Sequence, residues 1–172
     1  MTETRQILLE LEHNTNSLLE MISAFDQEKF NAKPSATAWS AAEVGEHVLK
    51  VTVYVNKALK GKTVVSERPY DQKIKVITGA MTDGNARYKA PEMALPGQVT
   101  LKQEQITAKL KSERRLLAES VAAMDLTLFV SEFKHPGFGG LTALEWVNFE
   151  IQHARRHMEQ LKRLAVHASE AR

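Results

Sequence analysis

Apolar residues recur at helical spacing in four long stretches of this 172-residue chain, and that pattern points to packed helices more than to any sheet architecture. Ile7, Leu8, Leu11, Leu18, Ile22 and Phe25 share one face of a helix expected over roughly Thr4 to Phe25. Val44, His47, Val48, Val51, Tyr54 and Val55 do the same between Ala41 and Lys60. A third stretch follows Pro96-Gly97 and runs to about Met124 through Leu101, Ile106, Leu110, Leu117 and Val121. The fourth, from Ala143 to about Ala165, carries Leu144, Trp146, Val147, Ile151, Met158 and Leu161. Ser40 with Glu43, Thr100 with Gln103, and Thr142 with Glu145 each fit the capping box, in which a hydroxyl and an acid or amide three residues on satisfy the first free amides of a helix. The expected fold is all-α, a four-helix bundle forming one domain over residues 1–172.

The connections constrain its topology. Phe25 to Ser40 and Met124 to Thr142 are moderate loops that suit antiparallel neighbours. The link from Gly61 to Gly97 is far longer and holds Pro69, Pro91 and Pro96. A connection of that length can travel the length of a bundle, so the second and third long helices can run parallel. Gln72 to Met81 within it is expected to form a short extra helix, and the segment as a whole is expected to roof a site. The last residues, Ala168 to Arg172, are expected to fray.

Composition narrows the function. Lys plus Arg number 23 against 21 Asp plus Glu, a balance of only +2, which gives no reason to expect nucleic acid as a partner. Cysteine is absent, which removes disulfides, thiolate ligands and a cysteine nucleophile together. No apolar run approaches the roughly 20 residues of a membrane span. Met1 to Arg5 lacks the basic-then-apolar order of a signal peptide, so a cytoplasmic location is expected.

Six histidines are present, and three of them fall on the apolar sides of helices. His153 and His157 stand four apart, which puts both imidazoles on one helix face one turn apart. His47 lies on the inward face of a different helix. Three such rings can hold one divalent ion and leave a position for water or substrate. They can equally be core residues hydrogen-bonded one by one, and spacing alone leaves both readings open. His13 is expected in solvent, His167 at a frayed end and His135 in a turn.

Two further residues are candidates for chemistry. Glu150 projects towards the side of His153 and His157, where it can orient a ligand, bind the ion or act as a base; its alternative is an ordinary flank charge paired with a basic residue. Arg156 flanks the histidines and suits an anionic substrate group. Otherwise Arg114-Arg115 and Arg155-Arg156 read as solvated faces. Glu150-x-x-His153 matches the ligand step of a diiron carboxylate bundle, but its second copy, Glu10-x-x-His13, faces water. No Gly-rich phosphate loop, G-x-S-x-G elbow or His-Glu-x-x-His is present.

These residues resemble the DinB-like superfamily of damage-inducible bundle proteins. Trp39-Ser40-x-x-Glu43-x-x-x-His47 is similar to its helix-two motif, which ends on a metal histidine. His135-Pro136 with Gly139-Gly140-Leu141-Thr142 is similar to the turn before its final helix, and Glu145-Trp146 through His153-x-x-x-His157-x-x-Gln160 to that helix itself. The resemblance implies up-down-down-up helix order, a divalent metal (zinc or nickel most often) on His47, His153 and His157, and frequent homodimers. It implies an enzyme acting on a small-molecule substrate, either by hydrolysis or by transfer of a low-molecular-weight thiol as co-substrate. The alternative is a non-catalytic, stress-associated bundle that keeps its metal for structure.

Overall fold

Ser40 and Thr142 open two of the long helices as their sequences predict. The Ser40 hydroxyl accepts from the Glu43 amide at 3.2 Å while the Glu43 carboxylate accepts from the Ser40 amide at 2.7 Å. Thr142 and Glu145 repeat the exchange at 3.3 and 2.9 Å. The computed structural model describes residues 3–97 and 99–170. Its helices are α1 (Glu3–Ser23), α2 (Gln27–Asn31), α3 (Ala41–Leu59), α4 (Ile74–Thr82), α5 (Gln103–Ala123) and α6 (Ala143–Glu170). The short helix expected in the long connection is α4. The expected fraying does not begin at Ala168, since α6 runs to Glu170, and Ala171 and Arg172 lie outside the described residues.

The third expected cap does not form at Thr100. Helix α5 starts at Gln103, and its first amide is capped from a distance by the Gln27 side-chain oxygen at 3.0 Å. The side-chain amide of Gln103 in turn donates to the carbonyls of Ile22 and Phe25. The five-residue α2, N-capped by Asp26, is thereby bound to the start of α5.

Four long helices make the bundle. Gly45 of α3 faces Ile106 of α5, and farther along Asn56 donates to the Glu113 carbonyl at 2.9 Å, so α3 and α5 run parallel. Between α3 and α6 the pairs are His47 with His153 and Thr52 with Glu150, which is antiparallel. Helix α1 is antiparallel to α5, through Asn14 with Arg114 and Ile22 with Gln103. This is the up-down-down-up order. The helices pack in the cycle α1–α5–α3–α6, so α1 and α3 lie across a diagonal rather than side by side.

A small antiparallel sheet, absent from the all-α expectation, closes one end. Strands β1 (Thr63–Val64), β2 (Phe129–His135) and β3 (Gly139–Thr142) pair in the order β1-β2-β3. Gly139 turns the β2–β3 hairpin with φ of 69°, a backbone region that side chains with a Cβ rarely adopt. Arg68 clamps this hairpin to α6 through both Glu145 carboxylate oxygens, at 2.7 and 2.6 Å.

Across the middle of the bundle runs a buried polar layer with one side chain from each long helix. Arg114 meets the Glu150 carboxylate at 3.0 Å, Thr52 donates to the same oxygen at 2.6 Å, and Arg114 donates to Asn14 at 2.8 Å. The layer separates an apolar cluster around Leu11, Val55, Leu117 and Val147 from a second around Leu18, Val44, Leu110 and Ala154. Arg114 is therefore a core residue, not the solvated charge its sequence suggests. No helix among the described residues is long and apolar enough to cross a membrane.

Removing one partner of a buried ion pair strands the other. Glu150→Leu is expected to lower stability by about 3–5 kcal/mol in urea unfolding, and Arg114→Met combined with it to recover a large part of that loss. Additive losses in the double variant would contradict the pairing.

Candidate metal centre

The antiparallel register of α3 on α6 decides where the histidines meet. His153 and His157 rise from one face of α6, and His47 comes opposite them from α3. The Nε2 atoms of His47 and His153 are 3.0 Å apart, those of His157 and His153 3.1 Å, and one nitrogen from each ring falls within 4.8 Å of the others. Two imidazole nitrogens bound to one ion at about 2.0–2.1 Å stand roughly 3 Å apart, so the two separations that involve His153 match those of a coordination site.

Hydrogen bonds on the far side of two rings set their tautomers. His47 Nδ1–H donates to the Ala94 carbonyl at 2.7 Å. A carbonyl oxygen only accepts, so the His47 proton is on Nδ1 and its Nε2 presents a lone pair. His157 Nδ1–H donates to the Gln160 side-chain oxygen at 2.9 Å, which leaves the same arrangement at its Nε2. His153 Nδ1 is buried and finds no hydrogen-bond partner among the described residues. Two lone pairs thus converge on the third ring nitrogen, which can donate a single proton at most.

Burial keeps all three rings neutral. It pushes the His47 pKa below its usual value, that of His153 far below, and that of His157 down to about 3. The neighbouring imidazoles add to the depression at His153 and His157, because a second positive ring beside the first is repelled. Neutral imidazole is the form that binds a cation.

The cluster opens into a cleft of about 1610 Å³, roofed by the long connection between α3 and α5. Arg156 lines it, and three of its five N–H groups are engaged by the roof. Its guanidinium donates to the carbonyls of Met81, Asp83 and Ala86 and lies 5.2 Å from the Tyr88 ring centre, holding the roof to α6. Glu150 does not line the cleft, because its carboxylate turns into the bundle towards Arg114 and Thr52. A helical wheel puts Glu150 on the histidine side of α6, but the ion pair with α5 draws it inward. The one carboxylate among the described cleft residues is Glu159, paired with Lys162 at 2.6 Å.

Sequence reasoning left two groups without a role. Gln160 was visible as the residue three beyond His157, a spacing that puts the two in contact on a helix. The Ala94 carbonyl carries no side-chain signal at all. His135, expected in a turn, ends β2 and packs its ring against Phe138, Trp146 and Phe149 at the cleft wall.

The comparisons agree with this architecture. The sequence profile of the DinB superfamily matches residues 10–161, which include all three clustered histidines. YuaE of Bacillus subtilis (strain 168), described as an uncharacterized protein, is 31% identical over 147 residues, 83% of this chain and 87% of YuaE. The crystal structure of TT2238, a four-helix bundle protein, superposes with a TM-score of 0.60 at 22% identity, covering 93% of this chain and 98% of that one. That likeness is one of fold.

The depressed pKa values of His157 and of His135, the latter down to about 4, set a stability window for the metal-free protein. Above the usual value of 6.5 both states hold neutral rings and the contribution is complete. As pH falls below that value the unfolded chain takes up protons that the folded chain refuses, so stability drops until the folded rings titrate. The urea midpoint is expected to be flat from pH 8 to 7 and to fall from pH 6.5 towards 4; a midpoint unchanged between pH 7 and 5 would contradict the burial of neutral rings.

Proposed function

This chain belongs to the DinB superfamily, and from that premise we propose that His47, His153 and His157 hold a divalent metal ion, zinc or nickel as the family resemblance implies, in an enzyme acting on a small molecule. The observation that carries the reading is the pair of tautomers locked by Ala94 and Gln160, which aim lone pairs at a common point. Neutral nitrogen ligands suit such an ion, and their spacing fits its bond lengths. Bound there, the ion supplies Lewis acidity that lowers the pKa of a water or thiol, the first giving hydrolysis and the second transfer of a low-molecular-weight thiol.

Groups of the chain itself do the rest. Ala94 and Gln160 keep the His47 and His157 rings oriented, and Arg156 holds the roof segment over the cleft. Trp39 packs on His47, with ring centres 5.0 Å apart, and Phe149 packs on His153 at 5.4 Å, shielding the nitrogens from bulk water.

Elemental analysis after reconstitution is expected to find one metal ion per chain, reduced to background in His153→Ala. Gln160→Ala is expected to weaken metal affinity by about 10- to 100-fold while the fold is kept, since a partner that orients a ligand has that effect. Screening metal-loaded protein against small esters, amides and electrophiles, with and without a low-molecular-weight thiol, assigns the reaction. Turnover by the metal-free protein equal to that of the loaded form would refute the proposal.

A further inference from the structure

His135 stands outside the three-histidine cluster and has a different proton arrangement. Its Nδ1 accepts two backbone hydrogen bonds, from Gly137 N at 3.0 Å and Phe138 N at 3.1 Å. A nitrogen that accepts carries no proton, so the neutral ring has its hydrogen on Nε2. Clustered His47 and His157 present lone pairs, whereas His135 presents an N–H. Burial among aromatic rings holds it in the neutral form, with a pKa of about 4. The ring centres of Phe149, Phe138 and Trp146 lie 4.3, 4.7 and 5.8 Å away.

His135 Nε2 has no hydrogen-bond partner among the described residues, nor is it one of the sealed, unsatisfied atoms of the interior. The ring lines the same cleft as the metal cluster. A single phenyl ring, Phe149, spans the two, in contact with His135 on one side and His153 on the other. The hairpin that carries His135 is itself held down, by Gly139 at its turn and by the Arg68–Glu145 clamp at its base. A fixed N–H one ring-width from a coordination site is a specificity element, because a site built to hydrogen-bond a ligand discriminates against molecules lacking the acceptor.

We propose that His135 is the distal recognition donor of the cleft: its Nε2–H donates to a carbonyl or carboxylate oxygen of a small molecule whose flat apolar middle lies on Phe149 and whose other end meets the three-histidine cluster. The inference deepens the metal reading and rests on it for the proximal end of the ligand only.

The test titrates cobalt(II)-loaded protein with benzohydroxamate, which offers a metal-binding head and a flat body, and with 4-carboxybenzohydroxamate, which adds a distal acceptor. The visible absorption of the cobalt reads both. The carboxylated compound is expected to bind about tenfold more tightly, the size of one charge-assisted hydrogen bond. His135→Phe is expected to erase that preference and leave benzohydroxamate binding within about twofold. No preference in the parent protein, or a preference that survives His135→Phe, overturns the proposal. Because His135→Phe also removes the acceptor for two turn amides, the parent protein labelled with ¹⁵N-histidine supplies a second reading without any metal. There His135 is expected as the Nε2–H tautomer, with its Nε2 signal moved by added benzoate. An Nδ1–H tautomer, or ring signals that benzoate leaves in place, overturns it. Failure of cobalt to bind would remove the metal reading, and the ¹⁵N experiment would still decide the role of His135.

Discussion

A charge in the interior of a bundle must find its partner, and in this protein that requirement sets the register of all four long helices. Asn14, Thr52, Arg114 and Glu150 come one from each of them and meet in a single layer. A slip of one helix along its neighbour would leave Arg114 or Glu150 buried without its counterion, at a cost of several kcal/mol. The same register puts His47 of α3 opposite His153 of α6, one turn beyond Glu150. The polar layer thus acts on the histidine cluster through geometry, without touching it.

On that frame, the three Nε2 atoms converge into an arrangement that can hold a cation. The Ala94 carbonyl and the Gln160 amide oxygen each accept a hydrogen bond from an Nδ1–H, and each leaves an Nε2 lone pair facing the third ring. Protonating the rings instead would relieve the lone-pair contact, but burial opposes it at every one of them. Ala94 lies in the long connection, so the loop that roofs the cleft also orients the His47 ring. The roof is in turn fastened by Arg156 to the helix that bears the other two histidines.

Much of this was legible in the residues, and the parts that were not share a cause. Helical periodicity located the four long helices, and the length of the link after Gly61 allowed parallel α3 and α5, because both are properties of local chain. The Ser40 and Thr142 caps could be read for the same reason. What escaped depended on contacts distant in sequence. The cap of α5 comes from Gln27, far from the Thr100 that seemed suited to it. Arg114 sits beside Arg115 and looks like a surface charge until α6 brings Glu150 to it. Strand β1 has two residues and exists only because β2 pairs with it. The histidine triad was found because His153 and His157 are local to one helix; His135 was missed because its role arises from Phe149 and the cleft rather than from the turn in which it lies.

X-ray absorption on the metal-loaded protein addresses the coordination directly. A shell containing three imidazole nitrogens at about 2.0–2.1 Å, reduced to two in His47→Ala, is the result this account predicts. An ion surrounded by oxygen alone, or a nitrogen shell indifferent to His47→Ala, would contradict it.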